Sequence, residues 1–211
     1  AYNEGEAIRE VVGQSMAQVD HVIVVDDGSK DDTAKEAKAG GAEVISYTQN
    51  MGKAYALKKG FERCSDYDVV VSLDGDLQHG PEEIPKLLKC LEDGSDLCVG
   101  SRILSGNDEM PPSRRFSNWV ASHIISFLIK QKITDPQSGF RAIKRPKLDL
   151  LELKAERYAI EHVMLLEAAK KGLKIGEVPI TCKYGDAESD INAFRDTLRV
   201  VYYMTRFLVR G

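Results

Sequence analysis

The sequence predicts an α/β domain, a mostly parallel central sheet flanked by helices, and three observations carry that expectation. Runs such as Val22-Ile23-Val24-Val25 and Val69-Val70-Val71 are continuously apolar, the pattern of strands covered on both faces. Segments with helical periodicity alternate with these runs. No linker interrupts the 211 residues, so residues 1–211 read as one soluble domain with a sizeable core.

Each element follows from its local pattern. The chain opens on a helical pattern at about residues 4–14 with no strand before it, and so reads as cut into. A strand over 21–27 (HVIVVDD) ends in Asp26 and Asp27; Gly28 permits a tight turn, and Asp31, Asp32 and Thr33 start a helix running to about 39. EVISY at 43–47 is the next strand, and Gly52-Lys53 opens a helix over 52–64. DVVVSLD at 68–74 is followed by a helix over 81–92 that Pro81 starts. Strands at 96–100, 139–144 and 174–181 alternate with helices at 114–131 and 158–171. A closing helix sets Arg195, Arg199, Arg206 and Arg210 in one basic stripe, suited to an anionic membrane face or to solvent.

Composition excludes several classes. A net charge of -4 argues against nucleic acid as a bulk electrostatic partner. Cys64, Cys90, Cys98 and Cys182 lack CxxC or Cys/His spacing, so reduced thiols are expected rather than a zinc site or disulfides. No apolar run reaches the roughly 18 to 20 residues of a bilayer span, and no signal peptide is visible. Residues 114–131 place Phe116, Trp119, Val120, Ile124, Phe127 and Leu128 at helical spacing between basic ends, which fits a membrane-interface helix and equally a core helix.

Ligands of open α/β sheets bind beyond the carboxyl ends of the strands, and the informative residues stand there. The VDDGSKDDT stretch, 25–33, is by itself also a plain turn and helix cap. Gly52-Lys53 can meet a phosphate or a base with helix N–H groups and an ammonium, although the spacing is not that of a P-loop and no GxGxxG is present. In SLDGDLQHGPEE, 72–83, Asp74 and Asp76 stand two apart, so both can converge where the strand ends; like charges that close repel unless a cation joins them. Mg²⁺ or Mn²⁺ suits two carboxylates, with Gln78 as a further oxygen donor and substrate phosphates completing the shell. A solvated acidic loop capping the next helix is the plainer alternative. His79 is expected as hydrogen-bonding support more than as a ligand, and His21, His123 and His162 are given no role.

Together VVDDGSKDDT, NMGKAYALKKG, LDGDLQHGPEEI, VGSR and DPQSGFRAIKR resemble the family 2 glycosyltransferases of GT-A fold, in the branch of dolichyl- and polyprenyl-phosphate sugar synthases. The resemblance runs from Ala1 to about residue 205. Tyr2, Asn3 and Glu4 match the end of the family's opening strand, the strand itself being missing. It implies that Tyr2, Glu4, Asp26, Asp27, Lys53 and Asp74 surround the base and ribose of a nucleotide sugar, and that Asp74, Asp76 and Gln78 hold the metal. Arg102 and Arg141 match residues at the acceptor phosphate, and Asp135 an acid beside the reacting centre. A phosphate monoester is largely ionised at pH 7, so Asp135 is expected to position, with a base role open. The implied activity is inverting, metal-dependent transfer of a hexose such as mannose or glucose, from GDP-mannose or UDP-glucose, to a dolichyl or polyprenyl phosphate by a peripheral protein at the cytoplasmic membrane face. Transfer to a glycan hydroxyl, a nucleotide-sugar-binding subunit without turnover, and a nucleotidyltransferase are the alternatives. One departure stands out: Asp190 occupies the place where family members commonly carry Lys, which puts the usual acceptor or full activity in doubt.

Overall fold

The computed structural model describes residues 1–106, 110–154 and 160–184. Among these residues there are six strands: β1 (Ile23–Asp26), β2 (Glu43–Ser46), β3 (Val69–Ser72), β4 (Leu97–Ser101), β5 (Arg141–Lys144) and β6 (Ile175–Pro179). Seven α-helices accompany them in the described residues: α1 (Ile8–Met16), α2 (Thr33–Ala39), α3 (Lys53–Arg63), α4 (Ile84–Glu92), α5 (Pro112–Ile129), α6 (Arg145–Leu148) and α7 (Ile160–Lys170). A 3₁₀ turn at Pro81–Glu83 leads into α4, with its proline where a missing N–H costs nothing.

β1 pairs with β2 in parallel, while a second sheet has the order β3-β5-β4-β6. In that sheet β5 runs antiparallel to both neighbours and β4 pairs with β6 in parallel, so three of its four strands share one direction and β5 opposes them. The α/β expectation holds, with mixed pairing.

β4 is buried along its whole length and divides the core. Leu97 and Val99 pack with Ile125, Ile133, Ile143, Met164 and Leu165 on one face, whereas Cys98 packs with Leu87, Phe140 and Ile180 on the other, as the period of two requires. α4 supplies Ile84, Leu87 and Leu91 at spacings of three and four, one stripe turned to the sheet, each contributing ~1.5–3 kcal/mol on full burial. α1 and α2 cover β1 through Ile8, Val12, Val24 and Ala37. All four cysteines are free thiols.

The Val69-Val70-Val71 run departs from its expected cover on both faces. Val70 is buried but Val69 is 36% exposed. β3 is the edge of its sheet and β1 the edge of the other, and both edges line one cavity of about 1850 Å³. A continuous apolar run therefore faces this cavity in part.

α5 buries one face and exposes the other. Ser117, Asn118, Ala121 and Ile125 are buried, while Phe116, Trp119 and Phe127 stand exposed on the other side. Among the described residues no helix is long and apolar enough to cross a membrane. The expected closing helix with its arginine stripe, and Asp190, lie outside the described residues.

Candidate active site

The first two motifs interlock. Ala1 N–H donates to the Val25 carbonyl and its own carbonyl accepts from Asp27 N–H, so the chain start lies along β1. Asn3 N–H donates to Ser29 Oγ, Glu4 N–H to Thr33 Oγ1 and Gly5 N–H to Asp31 Oδ2, which ties Tyr2 and Glu4 to the loop after β1. This anchoring explains why α1 begins at Ile8 rather than at Glu4. Asp26 closes its own turn by accepting Ser29 N–H, and Asp27 accepts the N–H groups of Met51 and Gly52 at 2.8 Å each. Gly28 is required at that crossing: its φ is +75° and a Cβ would meet Gln49 and Asn50 backbone atoms at 2.6 and 2.8 Å. The carboxylate of Asp27 thus sets the loop that delivers Lys53 at the first position of α3.

Lys53 Nζ lies 2.7 Å from Asp74 Oδ1 and 2.9 Å from Glu161 Oε1. Burial pushes its pKa down, but the two carboxylates outweigh burial and hold it above the ordinary lysine value. Asp74 behaves in the mirror sense: burial raises its pKa, and the Lys53 charge and hydrogen bond bring it below the usual range. Gly139 lets the loop before β5 close on this pair, since a Cβ there would lie 2.7 Å from Asp74 Oδ2 and 2.8 Å from Lys53 Nζ.

Asp76 forms no ion pair among the described residues, and Lys53 acts on it less than burial and Asp74 do. It is half-buried, accepts Gln78 N–H at 3.1 Å, and is raised above the usual range first by burial and then by Asp74. Leu77 between them adopts φ +57°, an uncommon conformation for a branched residue that turns the loop sharply. Glu4 is raised to about 7, by burial and then by Asp76. No group of three or more His, Cys, Asp or Glu suited to a metal occurs among the described residues. A carboxylate with no ion-pair partner among the described residues, beside a second carboxylate and an amide, nevertheless fits a hard divalent ion that keeps waters and substrate oxygens in its shell.

On the other side of the site Asp135 is fully buried and takes the Arg102 guanidinium two-pronged. Glu177 of β6 holds the loop that carries Asp135, accepting Thr134 N–H, Thr134 Oγ1–H and Asp135 N–H. Arg141 donates to the carbonyls of Ser138, Pro136 and Glu161, and burial lowers its pKa to about 10. His79, expected as hydrogen-bonding support, has no partner for either ring nitrogen among the described residues, and burial lowers its pKa to about 4.

Among the expected residues, Tyr2, Glu4, Asp27, Lys53, Asp74, Asp76, Gln78 and Arg102 line the cavity described above, joined by Arg114, Gln137, Glu161, His162 and Lys183. Asp26, Asp135 and Arg141 do not line it. Arg141 is turned toward backbone carbonyls, an arrangement that does not support its expected contact with the acceptor phosphate, because buried guanidinium donors are drawn to the nearest unpaired acceptors. Sequence reasoning missed Glu161 and Glu177. Each is an acid set in an apolar run, AIEHVML or IGEVP, and that contrast is the signal that could have marked them.

The profile of glycosyl transferase family 2 matches residues 1–151. A UDP-N-acetylglucosamine–dolichyl-phosphate N-acetylglucosaminyltransferase of Methanococcus voltae is 35% identical over 87% of this chain and 83% of its own. An undecaprenyl-phosphate mannosyltransferase of Micrococcus luteus is 34% identical over 85% of this chain and 79% of its own. Among solved structures, glucosyl-3-phosphoglycerate synthase from Mycobacterium tuberculosis, in complex with Mn²⁺, UDP-glucose and phosphoglyceric acid, superposes with a TM-score of 0.74 at 25% identity, over 97% of this chain and 77% of that one.

Proposed function

The chain belongs to glycosyl transferase family 2, and from that premise we propose that it transfers a hexose or N-acetylhexosamine from a nucleoside-diphosphate sugar to a polyprenyl or dolichyl phosphate, with residues 1–211 as one catalytic domain. The observation that carries this reading is that one cavity is lined both by the Asp74–Asp76–Gln78 loop and by Arg102, Arg114 and Lys183. A carboxylate loop beside a cluster of cations is suited to two phosphorylated substrates, one bound through a metal and one bound directly.

Asp76 and Gln78, with Asp74, would hold Mg²⁺ or Mn²⁺; when bound, the ion offsets the charge that develops on the departing nucleoside diphosphate. The relative crystallised with Mn²⁺ and UDP-glucose supports this choice. Tyr2, Glu4 and Lys53 border the nucleotide, while Asp26 and Asp27 shape the loops around it. Lys53, bound between Asp74 and Glu161, keeps the first carboxylate in place. The acceptor phosphate is already an oxyanion at pH 7, so orientation matters more than proton removal. Arg102 presents its remaining N–H groups to it, Asp135 positions Arg102, and Arg141 shapes the loop over 135–139. The named activities of the Methanococcus and Micrococcus relatives support a lipid phosphate as acceptor.

The exposed Phe116, Trp119 and Phe127 of α5, near Arg114 and Arg115, support peripheral contact with a membrane surface, which is where such an acceptor resides; by the family resemblance this is the cytoplasmic face. The test is direct. The protein with Mn²⁺, a polyprenyl phosphate and UDP-N-acetylglucosamine, UDP-glucose or GDP-mannose in turn should form a lipid-linked sugar. Transfer only to soluble hydroxyl acceptors overturns the lipid-phosphate reading.

A further inference from the structure

Glu161 reaches the Asp74–Lys53 pair, but the next residue, His162, serves nothing described so far. It sits in the first turn of α7, is 4% exposed, and lines the cavity with Gln137 and Glu161. Neither Nδ1 nor Nε2 has a hydrogen-bond partner among the described residues. Buried polar groups are rarely left so, since each unmet group costs free energy. The charged groups that act on it are already committed: Glu161 to Lys53, Arg141 to three carbonyls and Asp135 to Arg102.

The chemistry of the ring selects its partner. Burial, against the pull of Glu161, lowers the pKa to about 4, so at neutral pH the imidazole offers one N–H donor and one bare nitrogen acceptor. Phosphate oxygens only accept and would leave the bare nitrogen unmet. A cation would use the bare nitrogen alone. A hydroxyl can meet either nitrogen, accepting from the N–H or donating to the bare nitrogen, whichever of them faces the cavity. A nucleotide sugar carries hydroxyls on its ribose and on its hexose; the reading above gives the nucleotide to Tyr2, Glu4 and Lys53, which leaves the hexose for His162, and Asp76, Glu161 and His162 line the same cavity.

We propose that His162 determines donor specificity by hydrogen-bonding a hydroxyl of the transferred hexose, an inference that rests on the transferase reading above. Glu161 fixes the first turn of α7 to the donor loop, and His162 reads the sugar from that fixed point.

The test compares the parent with His162→Leu and His162→Gln, using UDP-glucose, UDP-N-acetylglucosamine, GDP-mannose and the deoxy analogues of whichever is preferred, with Mn²⁺. Calorimetry gives the affinity for each nucleotide sugar relative to the bare nucleoside diphosphate, and transfer assays give kcat/KM. In His162→Leu we expect kcat/KM for the preferred donor to fall about tenfold or more. Affinity for the bare diphosphate should stay at the parent value. The preference for the natural sugar over the analogue deoxygenated at the contacted position should vanish, and His162→Gln, which keeps a donor and an acceptor, should recover part of it. Unchanged discrimination in His162→Leu, or equal weakening of nucleotide sugar and bare diphosphate, overturns the proposal. If His162→Leu does not fold, the same affinity ratio in His162→Gln decides. A parent that binds donors and transfers none sinks the transferase reading separately, while the affinity ratio still decides the role of His162.

Discussion

Arg102 and Asp135 form a two-pronged ion pair in the protein interior, with Nε 2.7 Å from Oδ2 and Nη2 2.9 Å from Oδ1. Burial alone would raise the Asp135 pKa; the Arg102 charge and hydrogen bonds outweigh it and hold the carboxyl below the usual range. Removing one charge of such a pair leaves the other buried and uncompensated, so Asp135→Asn should cost ~3–5 kcal/mol in urea unfolding at pH 7. A depressed carboxyl pKa adds stability that is present above the ordinary aspartate value and lost as pH falls through the folded value. The gap between parent and variant should therefore be full above about pH 4 and narrow below it. A gap independent of pH in that window argues that Asp135 contributes shape and not charge.

Asp76 forms no ion pair among the described residues, so the proposed metal should act through it. Mn²⁺ should strengthen nucleoside-diphosphate binding to the parent, and Asp76→Asn should abolish that gain while leaving metal-free binding nearly unchanged. Because burial and Asp74 raise the Asp76 pKa, protons compete with the metal more effectively than at an ordinary aspartate. The Mn²⁺ gain should weaken on acidification while a free aspartate would still be mostly ionised. Calorimetry across pH 4 to 7 measures both effects, and a variant that keeps the parent's Mn²⁺ response rules out this metal site.

Two glycines separate crowding from backbone freedom. Gly139→Ala would press a methyl group onto Asp74 and Lys53 and should cost ~1–3 kcal/mol, with weaker donor binding. Gly60→Ala, inside α3, meets Val25 at an ordinary 3.4 Å and should stabilise by about 0.5–1 kcal/mol. Thermal melts and nucleotide affinities of the two variants provide the comparison. Equal behaviour would mean that the close approach at Gly139 is not needed for the site.

Trp119 is the sole tryptophan and stands 56% exposed on α5. Its emission should shift to the blue on addition of anionic vesicles at low salt and return as salt rises, since screening weakens the attraction. Phe127, 82% exposed, adds apolar area to the same surface. Phe127→Asp should weaken vesicle binding by about 10- to 100-fold, the equivalent of the ~1.5–3 kcal/mol for burying such a ring. An emission maximum indifferent to vesicles argues against contact through this face.

Much of the fold was legible because its determinants are local. Val22–Val25, Val69–Val71 and the stripe Ile84, Leu87, Leu91 declare strand or helix by their own spacing, and the acids of DDGS and DGD mark the carboxyl ends of strands. Tyr2, Glu4, Asp27, Lys53 and Asp74, which the family motifs mark, line one cavity for the same reason, since each motif is a short contiguous turn whose geometry its own residues set. The partners of those residues were not legible. Lys53 meets Glu161 across 108 positions and Arg102 meets Asp135 across 33, and nothing in a local period says which distant charge will neutralise which. Tertiary packing also decided that β5 runs against its neighbours, that α5 buries Ile125 while exposing Phe127, and that Arg141 spends its donors on backbone carbonyls. A side chain's spacing sets the face on which it lies; only the assembled interior, where unpaired polar groups are costly, sets what it must touch.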